Sequence, residues 1–406
     1  MSLDVERIRK EFPALHVKVK GKPVVYLDNA CMSLKPKCVV DAMNDYYYSY
    51  PGCHGRTTYY FGRRTTEEFD RARRRLAELI NAPQARELLF VKNTSEGINL
   101  VSHSLPFSEG DVVVTTNVEH NSNLLPWQVL KRRKGVEHRI VHLADDLTFD
   151  RSAFEEAMSS EVRLVSVVQT SNLTGVSVPV KEIAKIAHRY GALMMVDGAQ
   201  SVAHSRIDVQ ELGIDILVFS VHKMMGPTGV GVVWAKEEVL NKMEPFIVGG
   251  ETVLNTFYDS YVPAGLPDRF EAGLQNYAGA IGAGVAAEYL MELGPEAVHE
   301  HEVTLNHIMT ERLEGIDGLR IIGPDAPDLR GGILNIYVDG MKSLEIARIL
   351  DQSNNIMVRA GYLCVHSWYN ARDLPHSVRA SVYVYNTPGE CELFADVLTK
   401  LLKHYR

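Results

Sequence analysis

Lys223 follows an apolar run, "DILVFSVH", and precedes a glycine-rich turn, "GPTGVG". An ammonium that close to a buried strand must reach water, find a partner or give up its proton. Other reactive side chains close other apolar runs. Asn93-Thr94-Ser95-Glu96-Gly97 follows "ELLFV", His120 follows "DVVVTTNVE", and Asn172 follows "RLVSVVQTS". "ALMMV" ends at Asp197, with Gln200 three residues on, and "DILVF" ends at Ser220, His222 and Lys223. In an open parallel sheet, ligands bind beyond the carboxyl ends of the strands. Hydroxyls, imidazoles, a carboxylate and a lysine are therefore expected along one rim.

"NTSEGIN" offers hydroxyls and free backbone N–H groups at a helix start, which is an anion site suited to phosphate. "GPTGVG" is not a nucleotide loop, because it lacks the GK[ST] ending and its lysine comes before the glycines. A phosphate site, an aspartate, an imidazole able to stack on a ring and a lysine together suggest pyridoxal phosphate. The lysine takes the cofactor's aldehyde covalently, and the aspartate keeps the pyridine nitrogen protonated. A free lysine, with a pKa of roughly 10.4, is a poor nucleophile at neutral pH. Burial and nearby cations lower that value, so Lys223 would be tolerated in a neutral, cofactor-bound form. Each residue alone has a plainer reading. Thr94 or Gln200 could cap a helix, Arg379 could form a structural ion pair, and Cys364 could be a small buried apolar residue.

The elements that must position these residues are legible. From about residue 85, strand-like runs ("ELLFV", "DVVVTT", "RLVSVV", "ALMMVD", "DILVFS", "GVGVVW") alternate with helical stretches such as "TSEGINLVSHSL" and "PVKEIAKIAHRY". That alternation predicts an α/β domain with a mostly parallel sheet and helices on both faces. Near residue 290 the texture changes to one long amphipathic helix, "EAVHEHEVTLNHIMTERLEGI". Short strands follow ("LRIIG", "GGILNIYV", "IMVRAG", "RASVYVY"), and then a closing helix. This predicts a smaller α+β C-terminal domain. The expected division is residues 1–20 packing on the small domain, a large domain over 21–290, and a small domain over 291–406 carrying Cys364.

Composition narrows the class. The 406 residues are 46% hydrophobic and 23% charged, with a net charge of -8, which argues against nucleic acid or an anionic membrane as partner. No apolar run reaches membrane-spanning length, and the charged start "MSLDVERIRKEFPAL" lacks a signal peptide's apolar core. Five cysteines without a CxxC pair suggest a reducing cytoplasm, and neither a disulfide framework nor a structural zinc site.

"YLDNA", "VDGAQSVAH", "FSVHKMMGPTGVGVVW", "RFEAGLQNYAGAIG" and "VRASVYVYNT" resemble the class V aminotransferase superfamily, and within it the group II cysteine desulfurases and selenocysteine lyases. The resemblance implies the pyridoxal phosphate-dependent transferase fold of type I. It implies that Lys223 carries the cofactor and later removes the Cα proton, Asp197 pairs with the ring nitrogen, and Gln200 bonds the phenolic oxygen. His120 would stack on the ring, and Thr94, Ser95, Ser220 and His222 would hold the phosphate. Asn172, Ala30, Arg359 and Arg379 would surround the substrate, with Arg379 on its carboxylate and His54 at the pocket mouth. Cys364, in "RAGYLCVHSW", would take sulfur from L-cysteine as a persulfide. The products would be alanine and sulfur for iron–sulfur cluster assembly, tRNA thiolation or another sulfur pathway. A homodimer and a sulfur-acceptor protein are implied as partners. Selenocysteine lyase, carbon–sulfur lyase, aminotransferase and epimerase activities remain open on the same scaffold.

Three departures from the family pattern stand out. Tyr362-Leu363 replaces two histidines before Cys364, Leu274 replaces a threonine that helps bind phosphate across the dimer, and Cys31 replaces an alanine. Cys31 and Cys53 are thereby expected near the pocket mouth.

Overall fold

The computed structural model describes residues 3–55 and 57–405. Among these, the strand-like runs form a seven-stranded sheet. Its strands are β1 (Leu88–Val91), β2 (Val112–Thr116), β3 (Glu137–Val141), β4 (Val162–Val168), β5 (Leu193–Asp197), β6 (Ile216–Ser220) and β7 (Gly231–Ala235). Their spatial order is β1-β7-β6-β5-β4-β2-β3. β2 to β6 are parallel, and β7 lies antiparallel between β1 and β6. β4 to β6 read as nearly continuous apolar runs because they are buried on both faces, as parallel strands under two helical layers must be, and the antiparallel β7 is buried likewise. β3 was not foreseen. Only Val141 of "EHRIV" is buried, so this edge strand carries no apolar pattern.

The helices that matter for the site begin at the strands' carboxyl ends. The chain forms α1 (Val5–Lys10), α2 (Lys37–Ser49), α3 (Tyr60–Leu79), α4 (Thr94–Ser104), α5 (Asn121–Lys134) and α6 (Val180–Arg189). α4 is capped by Asn93, whose side chain accepts from Glu96 N. α5 is capped by His120, whose ring accepts from Ser122 N. α6 starts after Pro179 and buries Val180, Ile183, Ala184 and Ala187, a 3.6-residue stripe lying on β5.

α7 (Tyr277–Leu293) leads into α8 (Pro295–Leu313), the long helix expected near residue 290. Beyond it lie β8 (Leu319–Ile321), β9 (Ile333–Val338), α9 (Ser343–Asn354), β10 (Arg359–Gly361), β11 (Ser377–Ser381) and α10 (Pro388–Tyr405). The four strands form an antiparallel sheet in the order β8-β9-β11-β10. Leu305, Met309, Leu334, Ile336, Leu350, Phe394 and Leu398 bind it to α8, α9 and α10 in a second core. "IMVRAG" is not one strand. Ile356–Met357 pairs with Val25–Tyr26 in parallel, and β10 starts at Arg359. Val25 and Leu27 accordingly belong to the second core, although they fall inside the range expected for the large domain. "RASVYVY" pairs from Ser377 and leaves the sheet after Ser381. The N-terminal segment touches both bodies. Arg9 pairs with Glu390 at 2.9 Å, and the Phe12 ring lies 4.7 Å from Tyr385 and 6.1 Å from Tyr289 of α7. Among the described residues no helix is long and apolar enough to cross a membrane.

Candidate active site

A cavity of about 490 Å³ separates the carboxyl rim of β4 to β6 from β10 and the turn after it. Lys223 sits in the short turn Val221–Lys223 that leaves β6. That turn is pinned through the His222 carbonyl, which accepts from Ser33 N (3.2 Å), Ser33 Oγ (3.1 Å) and Lys35 Nζ (2.9 Å). Burial lowers the Lys223 pKa to about 8, Asp197 opposes the shift, and Arg379 adds to it. Asp197, at the end of β5, is 2% exposed and accepts from Ala199 N at 2.9 Å. Burial holds its carboxyl above the usual aspartate range, against the pull of Ala199 N and Lys223. Of the glycines after Lys223, Gly229 takes a left-handed turn (φ 72°), whereas Gly226 and Gly231 serve packing. A Cβ on Gly231 would stand 2.6 Å from Asn93 Cα, so glycine there lets β7 close on the cap of α4.

His120 stays a neutral imidazole at any ordinary pH. Burial, followed by Lys223, Arg379 and His366, pushes its pKa down to about 3. The residue before it, Glu119, is buried and accepts from Thr116 Oγ1 (2.7 Å), Asn123 Nδ2 (2.6 Å) and Val168 N (2.9 Å). It thereby ties β2, α5 and β4 together directly behind the imidazole. At the other end of the cavity, Thr94 N and Oγ1 bond Ser220 Oγ at 2.8 and 2.7 Å. Ser95 Oγ meets Ser122 Oγ at the N-termini of α4 and α5. His222 completes this end, its pKa lowered to about 4 by burial and by Lys223 and Lys35.

The small domain supplies the opposite wall. Arg379, on β11, is 3% exposed. It donates to Asn172 O at 2.9 Å and makes a long contact, 3.5 Å, with Asp28 Oδ1. Arg359 donates to Asp28 Oδ2 at 2.6 Å and to Cys31 Sγ at 2.9 Å. Asn172 Nδ2 donates to Leu363 O at 2.8 Å, and Asn121 N donates to Cys364 O at 2.8 Å. These two bonds hold a turn in which Leu363 (φ 51°) and Cys364 (φ 59°) are both left-handed, a conformation costly for non-glycine residues. Leu363 is buried among Val118, Leu143 and Trp368, while Cys364 is exposed. Leu363, one of the two departures before the cysteine, is thus the anchor of the turn. Tyr362 packs between His366 (4.7 Å) and His376 (4.2 Å).

Thr94, Ser95, His120, Asn172, Asp197, Gln200, Ser220, His222, Lys223, Ala30, Arg359, Arg379, Cys364 and the unusual Cys31 all line this cavity. His54, expected at the pocket mouth, does not line this chain's own cavity. Its ring packs 4.9 Å from Phe69 and 6.3 Å from Tyr277, and its Nε2 lies 3.3 Å from Asp70 Oδ1. Its neighbour Cys53 also lies outside the cavity lining. Asp28, Asn121, Glu119 and His366 were not singled out from sequence. For Asp28 the signal existed in "YLDNA", but its partners Arg359 and Arg379 are more than three hundred positions away.

The donor set fits pyridoxal phosphate. A lysine near neutrality, a buried aspartate, a neutral imidazole and a hydroxyl-rich pair of helix N-termini surround one cavity. Two buried atoms on its wall, Gln200 Oε1 and Arg379 Nε, lack a hydrogen-bond partner, leaving an acceptor and a donor open to a ligand.

A family model for class V aminotransferases matches residues 25–394, and the chain belongs to that family. Within it, the chain is similar to cysteine desulfurases. A probable cysteine desulfurase of Synechocystis sp. is 37% identical over 402 residues, covering 98% of this chain and 96% of that one. A cysteine desulfurase of Haloferax volcanii is 36% identical over 412 residues, covering 98% and 96%. The apo structure of a cysteine desulfurase from Thermococcus onnurineus NA1 superposes with a TM-score of 0.94 at 36% identity, covering 100% of this chain and 99% of that one. The fold is that of the type I pyridoxal phosphate transferases.

Proposed function

We propose that this protein is a pyridoxal phosphate-dependent cysteine desulfurase, taking L-cysteine to L-alanine and leaving the sulfur as a persulfide on Cys364. The observation that carries this reading is the placing of Cys364. An exposed thiol on a braced left-handed turn faces the cavity that holds Lys223, Asp197 and Arg379. When bound, pyridoxal phosphate supplies an aldehyde that takes an amine and a protonated ring that accepts the electron pair left by a departing Cα proton.

The chain's own groups do the rest. Thr94, Ser95, Ser220 and His222 would receive the phosphate at the helix N-termini. Asp197 would keep a proton on the ring nitrogen, Gln200 would bond the phenolic oxygen, and neutral His120 would stack on the ring. Arg379 takes the substrate carboxylate. Asp28 leaves it available, because that carboxylate is closer to Arg359 than to Arg379. Lys223 Nζ accepts the Cα proton and returns it. The Cys364 sulfur forms a bond to the substrate sulfur as the carbon–sulfur bond breaks. The sum is cysteine plus a thiol giving alanine plus a persulfide. Because Cys364 is exposed, an acceptor protein can collect that sulfur for cluster assembly or another sulfur-containing product. The five free thiols suit a cytoplasmic setting.

The working unit we infer is a homodimer. Ile247, Val248, Leu254, Phe257, Tyr258 and Leu274 are all exposed, more large apolar side chains than a surface meant for water alone needs. Leu274 helps line a groove with Phe69 and Phe246, and His54 packs against the same Phe69. The roles expected for His54 and Leu274 then point to a partner copy's cavity. Measuring products from L-cysteine tests the reading. Alanine with bound or released sulfide supports it, and pyruvate with ammonia rejects it.

A further inference from the structure

Cys31 is a thiol on the cavity wall that the proposed reaction leaves unused. Its N–H donates to Asp28 O at 3.1 Å, in the turn after Val25–Tyr26. Its sulfur accepts an N–H from Arg359 at 2.9 Å, and Asp28 fixes the same guanidinium at 2.6 Å. Arg359 opens β10, the strand that leads to the Cys364 turn. Cys31 and Cys364 line one cavity, and both act electrostatically on the Lys223 ammonium. The other thiols stand apart. Cys391 is buried in the second core, and Cys38 and Cys53 are not on the cavity wall. The same wall carries Arg379 Nε and Gln200 Oε1, both buried and without a hydrogen-bond partner, so the cavity that holds the two sulfurs is a polar one.

We propose that Cys31 is a second sulfur-carrying thiol, which takes the outer sulfur of the Cys364 persulfide while Arg359 holds it in place. The proposal rests on the desulfurase reading above. In the exchange the Cys31 sulfur bonds to the outer sulfur, the bond from that sulfur to Cys364 Sγ breaks, and the electron pair leaves on Cys364. The proton lost by Cys31 ends on Cys364. One thiol and one persulfide enter and one of each leaves, so no outside oxidant or reductant is needed. A guanidinium N–H is a strong donor to sulfur that carries negative charge during such an exchange. Cys364 is exposed and Cys31 only partly so. The transfer therefore moves sulfur to a more sheltered place and frees Cys364 for another substrate.

The test uses the holoenzyme with excess L-cysteine and no reductant. Alanine is counted in the first burst, and persulfides are mapped by alkylation and mass spectrometry. Wild type is expected to form about two alanines per chain, with persulfide on both peptides, since each thiol can hold one sulfur. Cys31→Ser and Cys31→Ala are expected to halve the burst and to carry persulfide on Cys364 alone. Cys364→Ala is expected to carry none on Cys31. Persulfide confined to Cys364 in wild type, with the same burst as in the Cys31 variants, would overturn the proposal. So would persulfide on Cys31 in Cys364→Ala, or a Cys31–Cys364 disulfide with sulfide release, which means attack at the inner sulfur. Absence of alanine from wild type would instead remove the desulfurase reading itself.

Discussion

Lys223 and Arg379 illustrate two ways of burying a cation in one cavity. Lys223 has its pKa lowered to about 8, so it is mainly protonated below pH 8 and mainly neutral above it. Only the neutral amine attacks an aldehyde. Cofactor capture by the apoprotein should therefore accelerate as pH rises, with its midpoint near 8, and a stopped-flow absorbance series across that range would detect it. Asp197 raises the Lys223 pKa against burial, so Asp197→Asn should move the midpoint to lower pH. A flat profile, or borohydride fixing cofactor to Lys223→Ala, would remove Lys223 from this role. Arg379 keeps its charge but lacks a close carboxylate, since Asp28 is 3.5 Å from it and 2.6 Å from Arg359. Hydrogen bonds to charged groups contribute about 1.5–3 kcal/mol, so Arg379→Ala should raise KM for cysteine by roughly ten- to a hundredfold while leaving the cofactor spectrum unchanged. Arg379→Lys should recover only part, because an ammonium cannot reproduce the planar fork. An unchanged KM would transfer the carboxylate to Arg359. At this scale the sequence reveals the residues that end strands, because a parallel sheet places every strand's carboxyl end on one side. It does not reveal Asp28 or Asn121, whose partners in the small domain are set by how two distant segments pack.

The elements explain why those residues converge. A Cβ on Gly97, inside "NTSEGIN", would stand 2.5 Å from Val218 Cγ1 and 2.8 Å from Val233 Cγ2. α4 therefore rests directly on β6 and β7, and this contact sets where its first turn meets Ser220. Overpacking a well-filled site costs about 1–3 kcal/mol. Gly97→Ala should lower the melting temperature, and it should also weaken pyridoxal phosphate binding by lifting Thr94 from Ser220. A thermal melt reads the first effect, and a fluorescence titration of the apoprotein with the cofactor reads the second. If stability falls and affinity holds, the α4 terminus does not carry the phosphate. The buried strands and the capped helices were legible because their patterns are local. β3 was not, since an exposed edge strand needs no apolar run. "IMVRAG" was misread as one strand because its two halves pair with different partners, Val25–Tyr26 and β11.

At the scale of the whole molecule, the cavity lies at the seam between two cores, so anything that shifts one body against the other changes the distance from Lys223 to Cys364. Salt bridges between distant segments, Arg9 to Glu390 and Arg359 to Asp28 among them, help to hold that arrangement. The exposed apolar side chains inferred to face a partner copy lie elsewhere, on the antiparallel pair Val253–Thr256 and Tyr261–Pro263 and its turn, which bear Leu254 (75% exposed), Phe257 (61%) and Tyr258. Burying apolar area yields about 25 cal/mol per Å², and a stable pairing buries about 800 Å² on each partner. The double variant Leu254→Lys/Phe257→Lys places two charges where that burial would occur. Light scattering should give the mass of two chains for the wild type and of one chain for the variant. Leu274 extends the prediction to the active site. If a neighbouring copy completes the phosphate site from this face, a hydroxyl at position 274 adds a donor that leucine lacks, and a bond to a charged group is worth about 1.5–3 kcal/mol. Leu274→Thr should then tighten pyridoxal phosphate binding roughly tenfold or more in the dimer, and leave it unchanged when combined with the two lysines. Equal tightening in both backgrounds would mean that residue 274 acts on its own chain's cavity, and no change in either would mean that this face does not reach a phosphate.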